Sequence, residues 1–226
     1  MTRHRGMPFS ITKNRTLEAF AIIVDINDFS QTVTAAEAGP TMGADIADFT
    51  RDALEHVVRA IEANEGEVAA IMGDAVLGII PEGAPIRTAC DEIAVAVNRE
   101  SDHISEHQVN SPGDWAYSPG GVSLKICIEF GQMHVTSINT RNLGGQSLFV
   151  GSAINYASRI GAAGVGNRCL LGPAAAERLE FTSMPLRGPR HVPGKRGEPV
   201  LEYYELSLKK LWQEQTRKQV LGWNVV

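Results

Sequence analysis

The sequence is poor in the patterns that mark disulfide-rich, zinc-binding and membrane-spanning proteins. Its 226 residues include only 3 cysteines. Cys90, Cys127 and Cys169 lie far apart in apolar surroundings, a pattern typical of reduced core thiols rather than of a disulfide framework or a zinc site. No apolar run approaches the roughly 18 residues that a membrane span needs, and none follows the basic residues 1–5 as in a secretory leader. We therefore expect a soluble, cytoplasmic protein that does not bind a membrane.

The charge of the chain is too weakly biased to indicate a partner. A formal net charge of -5 argues against a dedicated nucleic-acid binder. A hydrophobic content of 43% over this length is enough for one substantial core and a short appendage. We expect one globular domain and no nucleic-acid partner.

Three segments differ in composition. Residues 1–17 are polar and without periodicity, which predicts a flexible N-terminal arm. Residues 18–206 carry the strand and helix patterns of the main domain. Residues 207–226 mix Leu, Val and Trp with Lys, Arg, Gln and Glu. This last pattern predicts an amphipathic helix that docks on the body of the protein or on a second chain.

The hydrophobic periodicity predicts alternating strands and helices in the main domain. The predicted strands are at 18–26, 67–72, 75–80, 122–130, 133–138, 169–171, 181–186 and 199–206, and the predicted helices are at 46–61, 86–97, 151–163 and 173–179. Tight turns are expected at Gly73-Asp74 and at Gly131-Gln132. The order is βαββαβ with additions. It predicts an α+β fold of the ferredoxin-like kind, with an antiparallel sheet and helices on one face.

Two acidic residues stand at the ends of apolar runs. Asp25 ends the run Ala21-Ile22-Ile23-Val24, and Asp74 lies in the predicted hairpin turn. Either residue alone is ordinary, because Asp favours turns and hydrogen-bonds its own backbone. A strand, a crossover helix and a hairpin would however bring both to one sheet edge. Two carboxylates at one place can hold a pair of Mg²⁺ or Mn²⁺ ions about 3.5 to 4 Å apart.

The turn after the first acid is a candidate phosphate loop. It consists of Asn27, Asp28, Phe29 and Ser30. Backbone N–H groups of such a turn can cradle phosphate oxygens when they point inward. Taken alone, this is a weak signal for substrate binding.

Two further segments carry groups that suit a nucleotide. Asn155 and Arg159 are four residues apart in a predicted helix, so the amide and the guanidinium share one helix face and suit a ribose and a phosphate. Lys195 and Arg196 lie on a turn before the last strand. A solvated helix face and a solubilising turn are the plainer interpretations of these two segments.

These motifs, in this order, resemble the catalytic domain of class III nucleotidyl cyclases over roughly residues 18–206. The metal-binding Asp followed by Ile, an aromatic and a hydroxyl residue matches Asp25-Ile26 and Phe29-Ser30, and the family's Gly-Asp hairpin matches Gly73-Asp74. The family's Gly, then Asn, then Ala-x-Arg helix matches Gly151, Asn155 and Ala157-Ser158-Arg159. Several motifs in the correct order make the resemblance specific.

The resemblance implies a head-to-tail homodimer with composite active sites at the interface. Asp25, Asp74 and the carbonyl of Ile26 would bind two metal ions, Mn²⁺ or Mg²⁺, on one protomer. Asn155 and Arg159 would come from the other. The ribose 3′-OH of a ribonucleoside triphosphate would attack the α-phosphate, with Arg159 stabilising the charge that develops.

The sequence departs from the family at the two positions that read the base. Adenylyl cyclases carry Lys and Asp there, and guanylyl cyclases carry Glu and Cys, whereas this chain has Ala70 and Leu148. A purine facing these apolar residues would leave hydrogen bonds unmade, at about 1 to 3 kcal/mol for each buried unsatisfied group. Phe49, Thr50 and Arg51 are further candidates for facing the base, and core or solvated helix positions are an equal alternative for them.

Intact catalytic motifs with a changed base pocket resemble the stand-alone pyrimidine cyclases of bacterial Pycsar anti-phage systems. This resemblance implies a uridylate cyclase, with UTP favoured over CTP, whose cyclic UMP acts on a separate effector protein. The alternatives are a purine cyclase with an atypical pocket and a non-catalytic nucleotide-binding dimerisation module. A diguanylate cyclase is disfavoured, because the chain has no Gly-Gly-Asp/Glu-Glu-Phe run.

Overall fold

A computed structural model describes most of the main domain. The described residues are 15–27, 29–30, 33–34, 44–93, 95, 124–140, 144–163, 166, 168–179, 186–194 and 199–208. The strands are β1 (Arg15–Ile26), β2 (Glu67–Met72), β3 (Ala75–Pro81), β4 (Leu124–Thr140), β5 (Gly144–Val150), β6 (Arg168–Leu171), β7 (Arg187–Val192) and β8 (Leu201–Ser207). The helices are α1 (Ala44–Ala63), α2 (86–93), α3 (Ser152–Gly161) and α4 (Pro173–Leu179).

The strands form one sheet around β1. The order is β2-β3-β1-β4-β6-β8-β7, and β5 pairs with β4. β1 pairs antiparallel with β3 and β4, and β2 pairs antiparallel with β3. Together with α1 and α2, these four strands have the ferredoxin-like arrangement, so this part of the prediction is confirmed.

The expectation of a purely antiparallel sheet is wrong at one pair. β4 and β6 run parallel, so the sheet is mixed. Parallel neighbours need a crossover connection that usually contains a helix. Here β5 turns the chain back along β4, and α3 then carries it across to β6.

Several strands begin or end at other residues than predicted. The hairpin expected at Gly131-Gln132 does not exist, because Gly131 pairs in register with Ala19 and β4 continues through it to Thr140. The return strand is β5, which the sequence analysis did not predict. β7 begins at Arg187, and residues 181–185 of the predicted strand 181–186 lie outside the described residues. β1 begins at Arg15, within the predicted arm, and the rest of the arm lies outside the described residues.

Alternation along β1 separates two hydrophobic clusters on the two faces of the sheet. Phe20, Ile22 and Val24 belong to the first cluster, with buried residues of α1, α2 and α4. Ala19 and Ala21 belong to the second cluster, with Ala153, Ala157 and Ile160 of α3. Three helices therefore share one face, as predicted, and α3 adds a layer on the other.

Two further predictions concern the C-terminus and the membrane. β8 extends to Ser207, so the predicted boundary at 207 falls within a strand. Residues 209–226, where the amphipathic helix is predicted, lie outside the described part of the chain. Among the residues that are described, no helix has the length and apolar character to cross a membrane.

Candidate active site

Asp25 and Asp74 come together at one end of the β1–β3 pair. Asp25 lies opposite Ala75 of β3, and the N–H of Ile26 donates a hydrogen bond to the carbonyl oxygen of Asp74 at 3.3 Å. Gly73 has φ 63°, a left-handed conformation that glycine adopts without strain, so a two-residue turn can place Asp74 at this end. The predicted convergence of the two acids is therefore present in the fold.

The two carboxyl groups interact directly. The pKa of Asp74 is raised, chiefly by burial and further by the charge of Asp25 and a hydrogen bond with its side chain. A backbone hydrogen bond and the charge of Lys125 lower the same pKa in part. The two acids thus form a partly buried pair whose carboxyl groups lie close enough to interact.

Lys125 completes this group, and the sequence analysis missed it. Its Nζ lies 2.8 Å from Oδ2 of Asp25, and its side chain is only 11% exposed. Asp25 and Lys125 are register partners on β1 and β4, which puts both side chains on the same face of the sheet. The signal in the sequence was a single cation inside the apolar run 124–130.

The donor chemistry of the acid pair fits a hard divalent cation. Carboxylate oxygens are the ligands that Mg²⁺ and Mn²⁺ prefer, and backbone carbonyls such as that of Ile26 can add to them. Within the described ranges there is no group of three or more His, Cys, Asp or Glu side chains that could hold a metal. Asp25 and Asp74 therefore fit the predicted cation only as a two-carboxylate site that leaves coordination positions for a substrate.

The predicted phosphate loop is described in part. Asn27 is a half-buried turn residue, and Asp28 lies outside the described residues. Phe29 packs against the first hydrophobic cluster, so its ring anchors the turn to the core. The backbone carbonyl of Ser30 accepts a hydrogen bond from the hydroxyl of Thr34 at 2.9 Å.

Helix α3 presents Asn155 and Arg159 on one side. Asn155 is exposed and Arg159 half-buried, whereas Ala153, Ala157 and Ile160 are buried on the other side of the helix. The close approach of α3 to the sheet depends on the glycine before it. A Cβ at Gly151 would lie 2.8 Å from the carbonyl oxygen of Gln132.

Tyr156 ties this helix to β8. Its hydroxyl donates to the carbonyl oxygen of Glu202 at 2.9 Å and accepts from the N–H of Glu202 at 3.1 Å. Arg159 Nη2 donates to the carbonyl oxygen of Pro193 at 3.5 Å. Tyr156 could not be identified from sequence alone, since an isolated Tyr on a helix carries no signal.

Within one chain, the acid pair and the Arg159 contact lie in different parts of the sheet. Asp74 lies between β2 and β3, at one end of the strand order, and Pro193 directly follows β7, the strand at the other end. β1, β4, β6 and β8 lie between them. The strand order therefore places Asp74 and the Arg159–Pro193 contact far apart along the sheet of one chain.

Solved structures with a similar fold include several nucleotidyl cyclase domains. The guanylyl cyclase Cya2 superposes with a TM-score of 0.67 at 13% identity, over 86% of this chain and 93% of that one. The adenylyl cyclase CyaB from P. aeruginosa has a TM-score of 0.64 at 13% identity, over 86% of this chain and 95% of that one. The fold is that of a class III nucleotidyl cyclase domain.

A third cyclase structure also has a similar fold. The catalytic core of a rhodopsin-guanylyl cyclase with converted specificity, in complex with ATPalphaS, has a TM-score of 0.59 at 15% identity, over 87% of this chain and 100% of that one. No protein-family model and no curated protein matches the sequence. The likeness is thus one of cyclase fold, since identity at this level says nothing of the substrate.

In this cyclase fold, the two expected base-reading positions lie on neighbouring elements. Ala70 is half-buried on β2, and Leu148 is exposed on β5, a strand that contacts β2. Two polar groups that the sequence analysis missed also connect these strands. Glu67 of β2 hydrogen-bonds to Ser147 of β5, and its pKa is raised, chiefly by burial. The register break in β2 after Val68 places Glu67 and Ala70 on the same face.

The other predicted substrate-binding residues lie on α1 or outside the described part of the chain. Arg51 is exposed and forms ion pairs with Asp48 at 2.7 Å and Asp52 at 2.8 Å, so it belongs to the outer surface of α1. Phe49 lies in α1, and its side chain is not among those described. Lys195 and Arg196 lie outside the described residues.

Proposed function

We propose that this protein is a nucleotidyl cyclase that converts a ribonucleoside triphosphate into its 3′,5′-cyclic monophosphate and pyrophosphate. The observation that carries the proposal is the convergence of Asp25 and Asp74 at one end of a cyclase-type sheet. In this reaction the 3′-oxygen bonds to the α-phosphorus, the bond from the α-phosphorus to the bridging oxygen breaks, and the hydroxyl proton passes to water.

Asp25, Asp74 and the Ile26 carbonyl would hold Mn²⁺ or Mg²⁺, two per site. Bound there, the cations supply charge neutralisation for the triphosphate and acidify the attacking hydroxyl. The Arg159 guanidinium then stabilises charge on the reacting phosphate, and the Asn155 amide orients the ribose. Such preorganised donors contribute most of the catalysis in phosphoryl transfer.

A head-to-tail homodimer would assemble the complete site. The strand order supports this, since Asp74 and the Arg159–Pro193 contact lie at opposite ends of the sheet in one chain. Apolar side chains that a single chain leaves exposed also support a second copy as partner. They lie at the end of β2 and on the β4–β5 extension: Ile71, Met72, Ile138, Leu148 and Val150.

We further propose a pyrimidine substrate, UTP before CTP, and a role for the cyclic product as an anti-phage signal to a separate effector. The apolar Ala70 and Leu148, at the positions where adenylyl and guanylyl cyclases place polar residues, favour a base other than a purine. Glu67 and Ser147, beside these positions, offer hydrogen-bonding groups to a smaller base.

The experiment that tests the function is direct. The purified protein is incubated with Mn²⁺ and each of the four ribonucleoside triphosphates separately, and products are identified by mass spectrometry. Cyclic UMP is the expected main product, and Asp74→Asn is the inactive control. Cyclic AMP or cyclic GMP as the main product would reject the pyrimidine assignment but keep the cyclase.

The second candidate function is nucleotide binding without turnover. One structural neighbour is described as a class III adenylyl cyclase-like ATP-binding protein from Pseudomonas aeruginosa, with a TM-score of 0.55 at 16% identity. Its alignment covers 73% of this chain and 35% of that one. Saturable nucleotide binding with no cyclic product from any of the four substrates would favour this candidate.

A further inference from the structure

The ion pair between Lys125 and Asp25 places a fixed positive charge inside the acid pair. The distance from Nζ to Oδ2 is 2.8 Å, and the two side chains are 11% and 31% exposed. Hydrogen bonds between charged groups at this length are among the stronger ones in proteins. The charge of Lys125 also offsets a small part of the rise that burial and Asp25 cause in the pKa of Asp74.

The position of Lys125 is set by the backbone. β1 and β4 pair without a register break from Arg15 to Ile26, so Asp25 and Lys125 face each other across the ladder. Cys127, two residues further along the same face of β4, is buried and has its pKa raised to about 12, chiefly by that burial. Lys125 therefore lies at the edge of the second hydrophobic cluster, paired with Asp25.

We propose that Lys125 sets the affinity of the cation site: its ammonium group pairs with the Asp25 carboxylate when no cation is bound and competes with the divalent cation for it. The inference rests on the proposed function in one respect, which is the assignment of Asp25 and Asp74 as cation ligands.

The charges of Asp25, Asp74 and Lys125 determine how Lys125 affects cation binding. Two carboxylates and one ammonium sum to one negative charge, whereas the carboxylates alone would carry two. Charges that are partly withdrawn from water interact more strongly than in bulk solvent, so the ammonium repels an incoming cation and relieves repulsion between the acids when no cation is bound. Lys125 thus keeps the cation-free site stable and makes cation binding weaker and reversible.

The test measures Mn²⁺ binding to the full chain without nucleotide, from the electron paramagnetic resonance signal of free Mn²⁺. Lys125→Gln removes the charge but keeps a hydrogen-bond donor, Lys125→Met removes both, and Lys125→Arg keeps the charge. We expect the Gln and Met variants to bind Mn²⁺ about tenfold more tightly than the wild type, and the Arg variant to bind like the wild type. Mn²⁺ should also raise the unfolding midpoint of Lys125→Gln more than that of the wild type.

Each other outcome is informative. Unchanged or weaker Mn²⁺ binding by folded Lys125→Gln overturns the proposal, and so does an Arg variant that behaves like the Gln variant. If Lys125→Met does not fold, Lys125→Gln carries the test. If Lys125→Gln folds only when Mn²⁺ is present, the result supports competition between Lys125 and the cation for Asp25. If Lys125→Gln stays unfolded even with Mn²⁺, the result contradicts the proposal. Wild-type protein that binds no Mn²⁺ and forms no cyclic product would instead overturn the proposed function.

Discussion

The hydroxyl of Tyr156 makes two hydrogen bonds with the backbone of Glu202, donating to the carbonyl oxygen at 2.9 Å and accepting from the N–H at 3.1 Å. This double contact joins α3, which carries Asn155 and Arg159, to β8. The ring is half-buried, so its packing and its hydroxyl can be separated by substitution.

Tyr156→Phe should therefore lower the free energy of unfolding by about 1 kcal/mol, because two hydrogen bonds are lost and the ring remains. Urea unfolding followed by circular dichroism measures this change. Cyclase activity should also fall, since α3 would be held less firmly. Ser158→Ala, an exposed change on the same helix, is the matched control. A stability equal to the wild type in Tyr156→Phe would show that the contact is absent in solution.

Substitutions of the two acids should separate stability from activity. Asp25→Ala would leave the nearly buried Lys125 without its counter-ion, which should cost about 2 kcal/mol, less than for a fully buried pair because Asp25 is 31% exposed. Asp74→Asn removes one of two like charges and should leave the stability unchanged or higher. Both variants should lose turnover. Unfolding curves and product assays on the same preparations check these expectations.

A result in which Asp74→Asn keeps turnover would contradict the assignment of Asp74 to the cation site. Equal stabilities of Asp25→Ala and the wild type would show that the Lys125 ion pair contributes nothing to folding.

Mixed protomers should recover activity if the site is composite. Asp74→Asn and Arg159→Ala remove different halves of the proposed site, so each homodimer should be inactive. In a heterodimer one of the two sites would have both halves intact, and random mixing should restore roughly a quarter of the wild-type activity. Differently tagged chains allow the heterodimer to be purified and assayed. Heterodimers with no activity would refute the shared interface.

The buried Glu129 should make stability depend on pH. Its Oε1 accepts hydrogen bonds from the N–H groups of Phe130 at 2.8 Å and Ala175 at 2.9 Å, yet its pKa lies above its ordinary value of 4.5, chiefly because burial disfavours the charge. Between that value and the raised pKa, the folded protein binds more protons than the unfolded chain. This contribution to stability is therefore present at low pH and is lost as the pH rises through the window.

The comparison of wild type with Glu129→Gln isolates this group, because the amide keeps an acceptor and does not titrate. Unfolding free energies measured from pH 4 upwards should fall more steeply for the wild type than for the variant. Parallel pH profiles would show that the carboxyl of Glu129 does not change its proton binding on folding.

Several features of the fold follow from local sequence. The apolar run within residues 18–26 and the glycine of the 73–74 turn suffice to predict β1 and the β2–β3 hairpin, because a short apolar run is typical of a buried strand and a tight turn needs a positive φ. The prediction failed at Gly131, since a glycine in a ladder and a glycine in a turn look alike in sequence.

The sequence by itself determined which chemical groups this protein has: two isolated carboxylates at strand and turn positions, and an Asn and an Arg one helical turn apart. These depend only on residue type and spacing. Tertiary structure alone decided that Lys125 faces Asp25, that Glu67 meets Ser147, and that Arg159 contacts the region beyond β7. The physical reason is that such contacts depend on which strands pair and in which register, and residues 25 and 125 become neighbours only when β1 and β4 align.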